Sequence, residues 1–249
     1  MAFVSCEFKS EALDMDTQLR VILPEAGVNE DTKIIYLLHG IKGNSLAWTR
    51  YTRVESYVRD YNIAVVMPEV QRSFYINMEY GLKYFDYVAK ELPLVVKKYF
   101  NLNTTKENSY VMGLSMGGYG ALKCGYTFPE NYNGCASFSG AVDLGLVLQY
   151  LSVDMKEMFE SEIKAVVGDE IKPENDLFAL LEAHSVEEMP NMYISCGDND
   201  FLKLPNYKLR EYLTQKNYKF KYDEWEGEHT WDFWDASFVK ALKYFELIK

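Results

Sequence analysis

Gly113-Leu-Ser-Met-Gly-Gly118 lies between a short apolar run, Ser109-Tyr-Val-Met, and a longer one, Tyr119-Gly-Ala-Leu-Lys-Cys-Gly-Tyr-Thr-Phe, that stops at Pro129. The first run has the length and character of a buried strand, and the second those of a helix. Glycine two residues before and two residues after a serine, at a strand-to-helix turn, marks a nucleophile elbow. Strand and helix pack so closely in such a turn that side chains at 113 and 117 would collide. The turn also thrusts the Ser115 hydroxyl upward. The helix behind it aims its free N–H groups and positive dipole end at any negative charge that forms there.

Glycine-serine strings also occur in ordinary turns, so the flanking elements decide the reading. Here both the strand and the helix are present. A phosphate-cradling loop is excluded, because no Gly-Lys-Ser/Thr follows the glycines and no G-x-G-x-x-G can be written across them.

Outward from the elbow, strand and helix patterns alternate. Strand signals occur at residues 2–9 and 18–23, separated by a polar stretch that suggests an antiparallel start. Lys33-Ile-Ile-Tyr-Leu-Leu-His-Gly40 is a continuous apolar run, expected of a central parallel strand buried on both faces. A helix is expected over residues 45–59, then a strand at 63–67 ended by Pro68. Residues 81–100 carry Leu82, Phe85, Val88, Leu92, Val95, Val96 and Tyr99 at helical spacing, with Pro93 as a kink or break. After the elbow come a strand at 135–138, a strand at 191–196, a helix at about 205–216, a strand at 219–225 and a last helix from about 231 to 248. Residues 143–190 are too long for a simple crossover and read as a helical cap insertion lying over the site. The pattern predicts an α/β fold with a doubly wound, mostly parallel sheet in a single domain, residues 1–249.

Composition narrows the partners. With 249 residues and 48% hydrophobic content the chain can bury a sizeable core, and its net charge of −11 disfavours nucleic acid and anionic membranes. Cys6, Cys124, Cys135 and Cys196 are scattered without a C-x-x-C pair, so neither a disulfide framework nor a zinc site is expected. The first nine residues lack a basic, then apolar leader pattern, and no run reaches the ~18 apolar residues of a membrane span. A cytoplasmic protein is the expectation. Self-association stays open.

In an open α/β sheet, function gathers beyond the carboxyl ends of the strands. Ser115 follows one such end, Asp198 and Asp200 follow another, and His229 follows the last in Glu226-Gly-Glu-His-Thr-Trp231. A serine hydroxyl needs an imidazole to take its proton, and a carboxylate must fix that imidazole's tautomer. Serine, acid, histidine is the chain order of the α/β-hydrolase triad. Of the three histidines, His229 is the expected base, His39 a loop-orienting residue and His184 a solvated residue of the cap. Either aspartate could be the acid or a turn-former. An oxyanion needs two preorganised N–H donors, expected from Met116 and from Ile41 in the loop His39-Gly-Ile-Lys-Gly-Asn44. No spacing suggests a metal, and no cofactor is expected.

The chain resembles the esterase D-like branch of the α/β-hydrolases, with bacterial tributyrin esterases as its nearest kind. Feruloyl esterases and S-formylglutathione hydrolases are close relatives. The resemblance rests on Leu37-Leu-His-Gly-Ile-Lys-Gly-Asn44, Glu91-Leu-Pro93, Gly113-Leu-Ser-Met-Gly-Gly-Tyr-Gly-Ala-Leu122, Cys196-Gly-Asp-Asn-Asp-Phe-Leu202 and His229-Thr-Trp231, and spans nearly the whole chain. It implies that the aspartate directly before Phe-Leu, Asp200, is the acid. It also implies cofactor-free hydrolysis of short-chain acyl esters, small-molecule substrates, through a serine acyl-enzyme. Feruloyl or acetyl-xylan esterase activity is the runner-up. The loop after the third strand lacks the cysteine expected of S-formylglutathione hydrolases, which disfavours a thioester substrate. A catalytically silent binding module is the rival of a different class.

Overall fold

The central strands are buried along nearly their whole length and successive side chains point to opposite faces, so each of these strands can feed two cores at once. The computed structural model describes residues 1–150 and 153–249, with side chains described outside 148–159. The strands are β1 (Ala2–Ser10), β2 (Met15–Leu23), β3 (Lys33–Leu38), β4 (Ile63–Pro68), β5 (Ser109–Leu114), β6 (Gly134–Phe138), β7 (Asn191–Gly197) and β8 (Phe220–Trp225). They form one sheet in the order β1-β2-β4-β3-β5-β6-β7-β8. β1 pairs with β2, and β2 with β4, antiparallel; every pair from β4 onward is parallel. The expected α/β architecture, antiparallel start included, is the observed one.

Ile34, Tyr36 and Leu38 of β3 face one core, while Ile35 and Leu37 face the other. Helices α4 (Leu92–Phe100), α5 (Met116–Thr127), α8 (Leu177–Glu182) and α9 (Lys203–Gln215) contribute to the first core. α1 (Ala47–Tyr51), α2 (Val54–Val58) and α10 (Trp231–Tyr244) contribute to the second. Each fully buried Leu, Ile or Phe on these faces stabilises the fold by roughly 1.5–3 kcal/mol. Between β6 and β7 lie α6 (Leu144–Tyr150), α7 (Val153–Val167) and α8, in place of one crossover helix.

Two expected helices are not continuous. The helix over 45–59 breaks at Thr52, whose backbone is extended. Its N–H and its hydroxyl both donate to the Trp48 carbonyl, at 3.1 and 2.5 Å, and the hydroxyl accepts the Val54 N–H at 3.2 Å as α2 starts afresh. The helix over 81–100 is a short turn, α3 (Tyr84–Asp86), then a wider π-helical turn over Tyr87–Glu91 that leads into α4. Pro93 sits in the first turn of α4. The wide turn before it accommodates the ring and the missing N–H. Leu82 and Tyr99, expected on the apolar face, are exposed instead. Glu91 accepts the Glu11 N–H at 2.7 Å and the Ser10 hydroxyl at 2.5 Å, tying this helix to the β1–β2 turn. The last helix ends at Tyr244 rather than 248, where Leu247 N–H turns back to Leu242 O and Glu246 is left-handed, φ 56°.

Candidate active site

The elbow is as crowded as its glycines require. A Cβ on Gly113 would lie 2.3 Å from the Gly117 carbonyl oxygen, and one on Gly117 2.4 Å from that of Leu38. Ser115 adopts φ 53° and ψ −117°, a conformation that L-residues disfavour. Surrounding backbone bonds hold it there. Its N–H donates to Phe138 O at 2.9 Å, and its carbonyl accepts from Gly118, Tyr119 and Ala141 at 3.0 to 3.2 Å.

β8 ends at Trp225 and α10 begins at Trp231, and His229 stands in the loop between them. Its Nε2 lies 2.9 Å from Ser115 Oγ, across 114 residues of chain. Its Nδ1 lies 2.9 Å from Asp200 Oδ2 and 3.1 Å from Oδ1. Both contacts are satisfied when Nδ1–H donates to the carboxylate and Nε2 accepts the serine proton. Trp234 meets the imidazole edge-on at 4.8 Å and Phe201 packs on it at 4.6 Å, so the ring is held from two further sides. The His229 side chain stays 18% exposed while that of Asp200 is wholly buried. A ring that can both reach the serine and meet a leaving group from solvent is what proton shuttling needs.

The two aspartates of the β7 loop separate cleanly. Asp200 accepts the Leu202 N–H at 2.8 Å and turns its outer oxygens to His229. Asp198 accepts the Gly227 N–H at 3.1 Å and the Asn199 amide at 3.0 Å, bracing its own loop against the one that carries His229.

Of the two amides expected to meet an oxyanion, that of Met116 opens α5, where an N–H has no helical carbonyl four residues back. Ile41 follows Gly40, whose hypothetical Cβ would sit 2.6 Å from Leu114 Cδ1 and 3.5 Å from Ser115 Cβ, so this loop runs against the serine.

His39 is buried, and its ring nitrogens are committed to the backbone. Nδ1 meets Gly40 O at 2.8 Å and Nε2 accepts the Val70 N–H at 3.3 Å. Burial pushes its pKa down, despite Glu69 with an oxygen 3.6 Å away. Accepting from Val70 requires a free lone pair on Nε2, so the neutral ring fits and the Glu69 contact is not an ion pair. Glu69 instead accepts the Ser45 N–H at 3.0 Å and the Gln71 N–H at 3.1 Å. Sequence reasoning passed over Glu69 and its neighbours Arg72 and Tyr75. The one available signal was an acidic residue directly after a strand's carboxyl end, where function gathers. Among the described residues no group of three or more His, Cys, Asp or Glu side chains could hold a metal ion, and no helix is long and apolar enough to cross a membrane.

Residues 10–245 match the family model described as "Putative esterase". The chain belongs to this Esterase family. The esterase is 30% identical over 260 residues to an acetyl esterase of Caldicellulosiruptor saccharolyticus, with 98% of each chain covered. Among solved structures it is similar to FphF, a fluorophosphonate-binding serine hydrolase of Staphylococcus aureus, with 28% identity, a TM-score of 0.87 and 98% of each chain covered. The S-formylglutathione hydrolase FrmB of the same organism gives 28%, 0.84 and 98% of each. A ferulic acid esterase shares the fold, with a TM-score of 0.84 at 19% identity over 98% of this esterase and 97% of that chain. The resemblance read from the motifs, to an esterase branch beside feruloyl esterases and S-formylglutathione hydrolases, is borne out. Family and fold make the chain a serine esterase.

Proposed function

We propose that this esterase hydrolyses short-chain acyl esters through an acyl-enzyme on Ser115, with His229 as base and acid and Asp200 as its partner. The Ser115 oxygen attacks the ester carbonyl while His229 Nε2 takes its proton, and the same proton passes to the departing alcohol. Water then attacks the acyl carbon as His229 takes its proton, and His229 returns that proton to Ser115 Oγ as the bond to the acid breaks. The Asp200 carboxylate stabilises the imidazolium at each stage. The amides of Met116 and Ile41 donate to the oxyanion, where one such donor is worth ~2.7–4 kcal/mol. The hydrogen-bonded path from Asp200 through His229 to Ser115 Oγ is the observation that carries this reading.

The chemistry requires no cofactor. Residues 143–190 shape the acyl end of the site in this reading, as part of one domain. Support comes from Arg72, which binds Glu162 of α7 at 2.5 Å and also reaches Ile41 O at 3.4 Å. Exposed Phe201, and Tyr51 stacked on Trp231 at 4.9 Å, offer an aromatic surface on the His229 side. That surface favours feruloyl or acetyl-sugar esters as the second reading. The kcat/KM ranking of acetyl, butyryl, octanoyl, feruloyl and S-formyl substrates separates these choices.

Ser115→Ala should lower kcat on p-nitrophenyl acetate by at least about 10³-fold with the fold intact, and abolish fluorophosphonate labelling. Near-normal turnover by that variant overturns the nucleophile assignment.

A further inference from the structure

An oxyanion donor works only if it is already in place when the charge forms, and a displacement of about 1 Å can cost about 10²-fold. The Ile41 amide sits on a loop with no regular structure between β3 and α1. The structure shows what holds that loop. Tyr75 donates its hydroxyl to His39 O at 2.9 Å, just before Gly40, and Arg72 donates to Ile41 O at 3.4 Å. The two bonds therefore bracket the Gly40–Ile41 peptide. Glu69 takes the Ser45 N–H at the loop's far end.

All three anchors come from one stretch after β4, and that stretch is strained. Gln71, Phe74 and Tyr75 have φ of 55°, 52° and 55°, left-handed values that non-glycine residues rarely adopt. Three such residues within five positions persist only where surrounding contacts over-determine them. Tyr75 is fully buried, and its ring lies against α5 where Gly120 leaves room; a Cβ at 120 would stand 2.4 Å from the ring. One side chain thus touches both the helix behind the nucleophile and the loop opposite it. A tyrosine that merely filled the core would need only some acceptor for its hydroxyl. This one takes the carbonyl that also abuts the elbow, since a Cβ on Gly117 would lie 2.7 Å from that same His39 oxygen.

We propose that Tyr75, assisted by Arg72, is a positioning residue that sets the Ile41 amide over Ser115. The inference rests on the reading of Ser115 as nucleophile and of Ile41 as an oxyanion donor. Tyr75→Phe keeps the ring on Gly120 and removes only the bond to His39 O.

Enzyme of each form is titrated with a fluorophosphonate so that rates refer to competent sites alone. Turnover of p-nitrophenyl acetate is then compared with inhibition by phenylboronic acid, whose tetrahedral adduct places an oxygen in the oxyanion position. Tyr75→Phe should lower kcat about 10- to 100-fold with KM changed less than about threefold. The boronate Ki should rise in step with the fall in kcat/KM. Arg72→Gln, at a half-exposed position, should show the same pattern several-fold smaller, and serves if Tyr75→Phe does not fold. Wild-type kcat per titrated site in the folded variants overturns the proposal, as does a kcat loss that leaves the boronate Ki unmoved. Wild-type protein that takes no label at Ser115 removes the nucleophile reading itself, and this inference with it.

Discussion

His39 and His229 each stand in a loop after a strand's carboxyl end, yet the two imidazoles have opposite chemistry. Both nitrogens of His39 are used by backbone, at Gly40 O and Val70 N–H, and the ring is shut away from solvent. His229 meets only side chains, Asp200 on one nitrogen and Ser115 on the other, with part of its ring open to water. A ring bonded to backbone on both sides has nothing to exchange a proton with. One set between a carboxylate and a hydroxyl, at a solvent-facing edge, can accept a proton and return it. Partners, not residue type or strand position, divide scaffold from chemistry.

The sharpest way to break that contrast is to exchange the consequences. His229→Ala should cut kcat by about 10³-fold or more and leave the melting temperature near wild type. His39→Leu should instead lose about 1–3 kcal/mol of stability, because the buried Val70 N–H loses its acceptor. Chemical denaturation and steady-state kinetics on both variants decide; a His39 variant with the larger kcat loss and full stability would invert the assignment.

The aspartates extend the comparison one residue outward. Asp200→Asn should lower kcat at least about 100-fold, since an amide no longer fixes the tautomer or stabilises the imidazolium. Asp198→Asn should lower it less than about tenfold, its oxygen bracing only Gly227 and Asn199. The reverse ranking exchanges their roles.

Acid should act on the two histidines through different observables. His229 acts on turnover, because an imidazole that already carries a proton on Nε2 cannot accept the serine's. His39 is held neutral by burial, its folded pKa below the ordinary value near 6.5. The unfolded chain therefore takes up the proton first. The stability that neutral His39 contributes is present above about pH 6.5 and is lost as pH falls from there toward the folded pKa. His39→Leu should flatten that part of the stability profile, measured by urea midpoint against pH.

The smallest effect concerns another buried base on α5. Lys123 has its Nζ on Asn175 Oδ1 at 2.6 Å and over the Phe85 ring at 4.3 Å, with burial pushing its pKa down to about 8. Because the folded value lies below the unfolded one, its burial penalty is full below about pH 8 and fades toward about pH 10.4. Lys123→Met loses the bond to Asn175 Oδ1 at every pH, so the wild type should gain stability relative to it only through that window. Parallel stability curves of the two proteins across it would contradict the assigned cause.

What the amino-acid order determined was local or combinatorial. Continuous apolar strands, helical runs between them and glycines flanking Ser115 follow from short-range sterics and burial, so the fold class and the elbow were readable from residues a few positions apart. Serine, aspartate and histidine in that order after three strand ends was a pattern of sequence too. Side-chain competition was not readable in the same way. Thr52 ends a well-patterned helix with its hydroxyl holding the Val54 N–H, and nothing in its neighbours' hydropathy announces that. Between Asp198 and Asp200 the residues alone were even, and only the family resemblance favoured one. Tertiary structure put Asp200 against His229 and set Asp198 on the Gly227 N–H, because the β7 and β8 loops pack side by side. The Tyr75 bond to His39 O, across 36 positions, was likewise decided by packing. Periodicity reports which face a residue is on, and the partner on the far side of that face is set only when the strands close into a sheet.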